Sequence, residues 1–278
     1  MTTLPPPPLR PARKEDLPST AGDLGHALAT DPEGVFAAGA EGPPPLGLAA
    51  GVVRGDVLAV VHLEVVRAAR GKGAGPALFS AVRSYGALRG ARAVEFARPA
   101  DEATLGFLLR AGVPVRGLAL RLRARSPRIG EEAAAPLTPL PVGAPLTGWV
   151  ADLDRETRGF PRTADWSYWA RTGSELFAAR RRGRPEGIGA LRIAGVRAFP
   201  GPVEAATPDA ASDLLLALAA EALRRGAREI EVTLPSEARV PLAALFRAGF
   251  SLAGTFPVLA GRSRGDLRRY AASPTSFF

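Results

Sequence analysis

Arg70-Gly71-Lys72-Gly73-Ala74-Gly75 lies between a strand-like run, Val57 to Val66, and a helix-like run, Ala77 to Leu88. This spacing predicts a strand, a glycine turn and a helix in that order. Such a turn suits phosphate. Its glycines let backbone N–H groups approach an anion closely, and the helix N-terminus adds unpaired donors and a partial positive charge. Pro76 fits the first helical turn, where its missing N–H costs nothing. The competing structural reading is a plain surface turn in a chain rich in arginine and glycine.

Two nucleotide-binding loops fit the stretch poorly. In a Walker A loop the lysine follows the last glycine and precedes Ser or Thr, whereas Lys72 precedes Gly73 and Gly75 and no hydroxyl follows it. A Rossmann fingerprint needs Gly-x-Gly-x-x-Gly, but Gly71, Gly73 and Gly75 alternate, and Glu95 lies outside a clear βαβ order. The pattern Arg70-x-x-Gly73-x-Gly75, with Val65 five residues before the arginine, resembles the pyrophosphate loop of GNAT N-acetyltransferases. That resemblance implies acetyl-CoA as cosubstrate, held by Arg70, Gly71, Lys72, Gly73, Ala74 and Gly75. It also implies that the preceding strand residues Leu63, Glu64 and Val65 pair through their backbone with the pantetheine arm and thioester.

Around the turn, Leu46 to Val53 and Val57 to Val66 flank Arg54-Gly55-Asp56 and read as an antiparallel hairpin. The helix after the turn places Leu78, Ala81, Val82, Tyr85 and Leu88 on one stripe, which makes Tyr85 a core residue. A strand at Ala93 to Ala97, a helix at Glu102 to Arg110 and a strand near Val115 to Arg123 follow. The order resembles a GNAT core, and Arg10 to Leu17 resembles the family's first strand and the start of its first helix.

The chain repeats itself. Leu88-Arg89-Gly90-Ala91-Arg92-Ala93-Val94-Glu95-Phe96 recurs as Leu223-Arg224-Arg225-Gly226-Ala227-Arg228-Glu229-Ile230-Glu231-Val232, and Leu108 to Val113 recurs as Leu245 to Phe250. The aperiodic stretch from Ser126 to Pro145, rich in Pro, Ala and Gly, reads as a linker. The expected organisation is therefore two tandem GNAT folds of mixed α+β class: residues 1–125, linker 126–145, and residues 146–278.

In the second copy the hairpin is expected over Leu176 to Ile193. The helix over Pro208 to Arg225 has Thr207 as N-cap and Gly226 after its end. The intervening Arg197 to Ala205 reads as a turn whose prolines remove N–H donors. This half resembles the C-terminal GNAT-like domain of tandem acetyltransferases through Asp154 to Arg162, Gly201-Pro202 and Ala248-Gly249-Phe250. It is read as a degenerate copy without its own cofactor.

Composition limits the remaining classes. The chain has 278 residues, 46% hydrophobic and 6% aromatic, so its core rests on Ala, Leu and Val. The formal charge of +9 is scattered; only Arg180-Arg181-Arg182-Gly183-Arg184 is dense, and its flanks make it a hairpin turn in preference to a nucleic-acid patch. There is no cysteine, which excludes disulfides and a thiol nucleophile. With only His26 and His62 as imidazoles, no metal is expected. The apolar run Leu214 to Leu223 is too short to span a bilayer, and Met1 to Leu9 lacks a signal-like apolar stretch, so the expected compartment is cytoplasmic, with no membrane partner.

The resemblance implies direct attack of an amine on the thioester, which needs a proton acceptor and a donor for the leaving thiolate. Many members carry a tyrosine four residues before the glycine of the last helix; Leu108 and Leu245 stand there instead. Tyr168 and Tyr270 lie in the second half. Glu95 is the first base candidate, tempered by its repeat counterpart Glu231, and Glu64 the second. Glu64 and His62 alternate onto the face opposite Leu63 and Val65. Asp165, Trp166 and Tyr168, within Asp165-Trp166-Ser167-Tyr168-Trp169, are candidates to line a cleft for a cationic amine. An amphipathic helix with core tryptophans is the alternative. The sequence thus predicts an N-acetyltransferase, monomer or homodimer, acting on an amine-bearing small molecule or protein. A non-catalytic CoA-binding module and a basic nucleic-acid-associated protein are the rival readings.

Overall fold

A computed structural model describes residues 7–18, 22–42, 44–130, 136–143, 146, 148–261 and 265–272. The first half runs β1 (Leu9–Pro11), α1 (Gly22–Thr30), β2 (Val35–Ala38), β3 (Gly47–Arg54), β4 (Val57–Val65), α2 (Ala74–Leu88), β5 (Ala93–Ala97), α3 (Glu102–Arg110) and β6 (Val115–Arg125). The second continues β7 (Leu137–Leu140), α4 (Gly148–Arg158), α5 (Thr163–Arg171), β8 (Ser174–Arg181), β9 (Arg184–Ala194), β10 (Arg197–Ala205), α6 (Pro208–Arg224), β11 (Glu229–Pro235), α7 (Arg239–Arg247), β12 (Ser251–Ala260) and β13 (Tyr270–Ala271). Counting described residues, one compact unit holds 7–115 and 259–261, and the other holds 116–258 and 265–272.

In the first unit, β1 to β4 pair antiparallel in sequence order and β5 joins β4 in parallel. The alternation of β4 sends Leu58 and Val60 to α2, with Leu78, Phe79 and Val82, and sends Ala59 and Val61 to α1, with Leu24 and Ala27. Helices thus cover both faces. Leu88, expected on the apolar stripe of α2, is 88% exposed because it is the helix's last residue. Tyr85 is buried as predicted, and its hydroxyl donates to Asp31 Oδ1 at 2.8 Å. Burial and the Asp31 carboxylate push the phenol's pKa up.

The second unit orders its strands β12-β6-β11-β10-β9-β8-β7. Residues Arg116 to Arg125 belong here and not to the first domain, because β6 pairs antiparallel with β11 from Ala119↔Pro235 to Arg125↔Glu229. In return, Leu259 packs in the first unit's core beside Leu108 and Phe96, and Gly261 N–H donates to Val94 O at 2.9 Å. Of the expected linker, residues 131–135 and 144–145 lie outside the described residues. Leu137–Leu140 is not linker but strand, paired with β8. Pro139 is tolerated there because β7 is an edge.

The repeat is structural as well as sequential. Gly90, Gly112, Gly226 and Gly249 follow α2, α3, α6 and α7 at φ between +82° and +92°, the left-handed conformation that favours glycine. In each copy the next N–H returns to the last turn: Ala91 to Gly86 O, Val113 to Leu108 O, Ala227 to Ala222 O and Phe250 to Leu245 O. One expectation is overturned. Arg197 to Ala205, predicted as the turn before the helix, is strand β10, so β9 and β10 match β3 and β4. Pro200, Gly201 and Pro202 fit because the ladder shifts register between Pro200 and Val203.

Candidate functional site

Residues 66–73 connect β4 to α2. Arg67–Ala69 make one 3₁₀ turn, Gly71 and Gly73 take φ +76° and +81°, and α2 begins at Ala74. Among the described residues, the N–H groups of Gly71 through Gly75 donate to no backbone carbonyl. Five donors therefore stand unpaired at the positive end of a long helix, the arrangement expected of an anion cradle. Arg70 takes a partly structural part: its Nε donates to Val65 O at 3.2 Å and its Nη1 to Asp101 Oδ2 at 3.1 Å. Asp101 also accepts from Thr104 N–H as the N-cap of α3, and these hydrogen bonds, with Arg70 nearby, hold its carboxyl below the usual range. The arginine thus ties the turn to the end of β4 and the start of α3, while Lys72 is exposed.

Beside the turn, β4 and β5 separate. Their parallel ladder covers only Val57↔Ala93, Leu58↔Val94 and Ala59↔Glu95. Just beyond, β4 carries an extra residue at Val61, since Gly51 faces Val60 and Ala50 faces His62. Leu63 and Val65 pack towards α2, and His62 and Glu64 occupy the opposite face, as alternation predicts. Thus Leu63, Glu64 and Val65 line a strand edge that β5 does not pair. Glu95 sits at the root of the gap and is 9% exposed, whereas the Glu64 side chain is 69% exposed.

Sequence reasoning missed two charged residues here. Arg98, just past β5, donates through Nη1 to the carbonyl of Val61 and to Asp23 Oδ2 of α1 at 3.0 Å. Burial raises the Asp23 pKa to about 6 against the pull of Arg98. Burial and the Arg98 charge lower that of His62 to about 4, which leaves the imidazole neutral at pH 7. Asp23 and Arg98 are 75 residues apart, so no local pattern announces them.

Among the described residues the second unit has no such gap. β10 and β11 pair in parallel only at Arg197↔Glu229 and Ala198↔Ile230, and β13 then enters between them. It pairs with β10 at Val203↔Ala271 and Glu204↔Tyr270, and reaches β11 through Ala272 N–H to Thr233 O at 2.9 Å. Only Ala206 and Thr207 separate β10 from α6, and the Thr207 hydroxyl already caps Ala210 N–H. Glu231, the counterpart of Glu95, pairs with Arg123 and Arg197 at 2.9 and 3.1 Å.

The candidate cleft residues of this unit are interior. Asp165 and Trp166 are fully buried. Trp166 donates from Nε1 to Asp154 Oδ1 at 3.2 Å and packs at 5.2 Å, edge to face, on Trp169. Tyr168 is half-buried against the same core. At its centre, Arg162 contacts Asp154, Glu204 and the Tyr270 hydroxyl. Leu108 and Leu245, at the expected tyrosine positions, are 0% and 1% exposed and belong to the cores. The Arg180 to Arg184 run is the β8–β9 hairpin turn, as predicted, with Arg182 and Gly183 at φ 50° and 79°. Among the described residues no helix is long and apolar enough to cross a membrane.

No family model and no curated protein matches the sequence. Solved structures do match. A Pyrococcus horikoshii protein assigned as an acetyltransferase aligns over 91% of this chain and 83% of its own at 18% identity, with a TM-score of 0.73. A GCN5-related N-acetyltransferase from Anabaena variabilis aligns over 91% and 72% at 14% identity, TM-score 0.64. A tandem GNAT protein from the clavulanic acid biosynthesis pathway aligns over 87% and 88% at 15% identity, TM-score 0.58. These likenesses span both halves of the chain, which therefore has the α+β fold of a tandem GNAT protein.

Proposed function

We propose that the chain is an N-acetyltransferase that holds one acetyl-CoA in its first unit and transfers the acetyl group to a primary amine. The observation that carries this reading is the asymmetry of the two copies. The first has an unpaired strand edge beside a turn with five unpaired N–H groups, whereas the second fills the equivalent gap with β13 and lacks the turn.

The residues present fit the cosubstrate. Gly71 to Gly75, with Arg67, Arg70 and Lys72 around them, suit a pyrophosphate, and the edge of Leu63 to Val65 suits an amide-bearing arm. When bound, acetyl-CoA supplies an activated acetyl thioester. Glu95 at the root of the gap and Glu64 on its rim are the carboxylates proposed to attract the amine.

Gly75→Glu tests the cradle. A Cβ there lies 3.7 Å from Val65 Cγ2, ordinary contact, and a carboxylate suits the first turn of a helix, so the fold is kept. Gly73 is a poorer choice because its φ of +81° penalises any side chain. Calorimetry is expected to give one site per chain, with affinity lowered about tenfold or more in Gly75→Glu by like-charge repulsion. Unchanged affinity would remove the cradle. The burial of Leu108, which leaves no tyrosine in the family's acid position, favours a non-catalytic CoA module as the second reading. Release of CoA in a panel of amines separates the two.

A further inference from the structure

The Asp23–Arg98 pair is unevenly satisfied. Oδ2 of Asp23 accepts from Arg98 Nη1 at 3.0 Å, but Oδ1 is buried and has no hydrogen-bond partner. A buried carboxylate oxygen without a donor is costly, so a donor brought by a ligand would be accepted there. The same Arg98 nitrogen also donates to Val61 O, at the extra residue of β4, so Asp23 is held beside the strand edge that continues into Leu63 and Glu64.

Arg98 after β5 and His26 on α1 are the charged and titratable groups that act on Asp23, and His62 on β4 feels the Arg98 charge, with Glu64 3.5 Å from the imidazole. β2 and β3 present the apolar Val35, Ala37, Ala50 and Val52 to α1. A primary ammonium brings the N–H donor that Oδ1 lacks.

We infer that Asp23 is the residue that receives the acceptor's ammonium group through Oδ1 and takes one proton from it. This rests on the acetyltransferase reading. In the step, R–NH3⁺ gives a proton to the Asp23 carboxylate, and the freed nitrogen lone pair forms the C–N bond as the C–S bond of the thioester breaks. The second proton leaving nitrogen passes to the departing thiolate to give the thiol, and the Asp23 proton returns to solvent. No tyrosine is required. Asp23, raised by burial to about 6, is mostly ionised at neutral pH and a stronger base than an ordinary aspartate.

The test uses the full chain labelled with carbon-13 at aspartate carboxyls, with n-butylammonium chloride as probe and tetramethylammonium chloride, which has no N–H, as control. The Asp23 resonance is identified by its loss in Asp23→Asn or, if that variant does not fold, in Asp23→Glu. Butylammonium is expected to move this resonance and lower its titration midpoint by about one pH unit, with no change from the control. Indifference to butylammonium, or an equal response to both salts, would overturn the inference. Acetyl-CoA binding is measured separately by calorimetry. Failure there removes the acetyltransferase reading, while the ammonium result still decides whether Oδ1 is an amine site.

Discussion

At the level of single residues, burial separates side chains that resemble catalytic groups from those placed to act. Leu108 stands where many GNAT enzymes carry a tyrosine, yet it lies wholly inside the core beside Phe96 and Leu259. Leu108→Tyr is therefore expected to destabilise the protein by about 1–3 kcal/mol through overpacking and to add no activity; denaturant unfolding and an amine-acetylation assay check both. Glu204 is the opposite case. Fully buried against Arg162 and Asp154, it is pushed up to about 8 by desolvation, against the pull of the Arg162 charge. The folded chain holds the Glu204 proton to about pH 8, whereas the unfolded chain releases it near 4.5, so stability falls as pH rises between these values and is level above. Glu204→Gln has no proton to lose and is expected to flatten this slope in urea titrations. An unchanged slope would show that Glu204 is charged in the folded state.

Among the elements, most strands and helices were legible because each carries its own periodicity. Ala93 to Ala97 and Glu102 to Arg110 were predicted to the residue, as was the Thr207 cap. The failures share a cause. Proline in β7 and β10 reads as a break, but an edge and a register shift both tolerate it, and neither is visible until pairing is known. β13 is too short for any periodic signal, although it decides the character of the second unit. The site was legible in the same measure. The glycine turn lies in one continuous stretch, while Asp23 and Arg98 meet only in the fold. Ala272→Pro removes the N–H that anchors the β13 segment to Thr233 and is expected to cost about 1–3 kcal/mol. A shift in the unfolding midpoint of that size measures how firmly the gap is filled.

At the scale of the whole molecule, the two units share the same helix ends and have different interiors. One keeps an open strand edge beside a cationic turn; the other has replaced both with packing. Neither unit is a continuous piece of chain. The first draws Leu259 to Gly261 from the far end of the sequence, and the second draws Arg116 to Arg125 from the middle. A fragment of residues 1–125 lacks Leu259 and leaves β6 without β11, so it is expected to show no cooperative thermal transition, which calorimetric scanning checks. The crossing of Leu259 into the first core also constrains biosynthesis. On the ribosome the first unit can form its hairpins and α2 early, but its core stays open until residue 259 has cleared the exit tunnel, so the two halves must finish folding almost together.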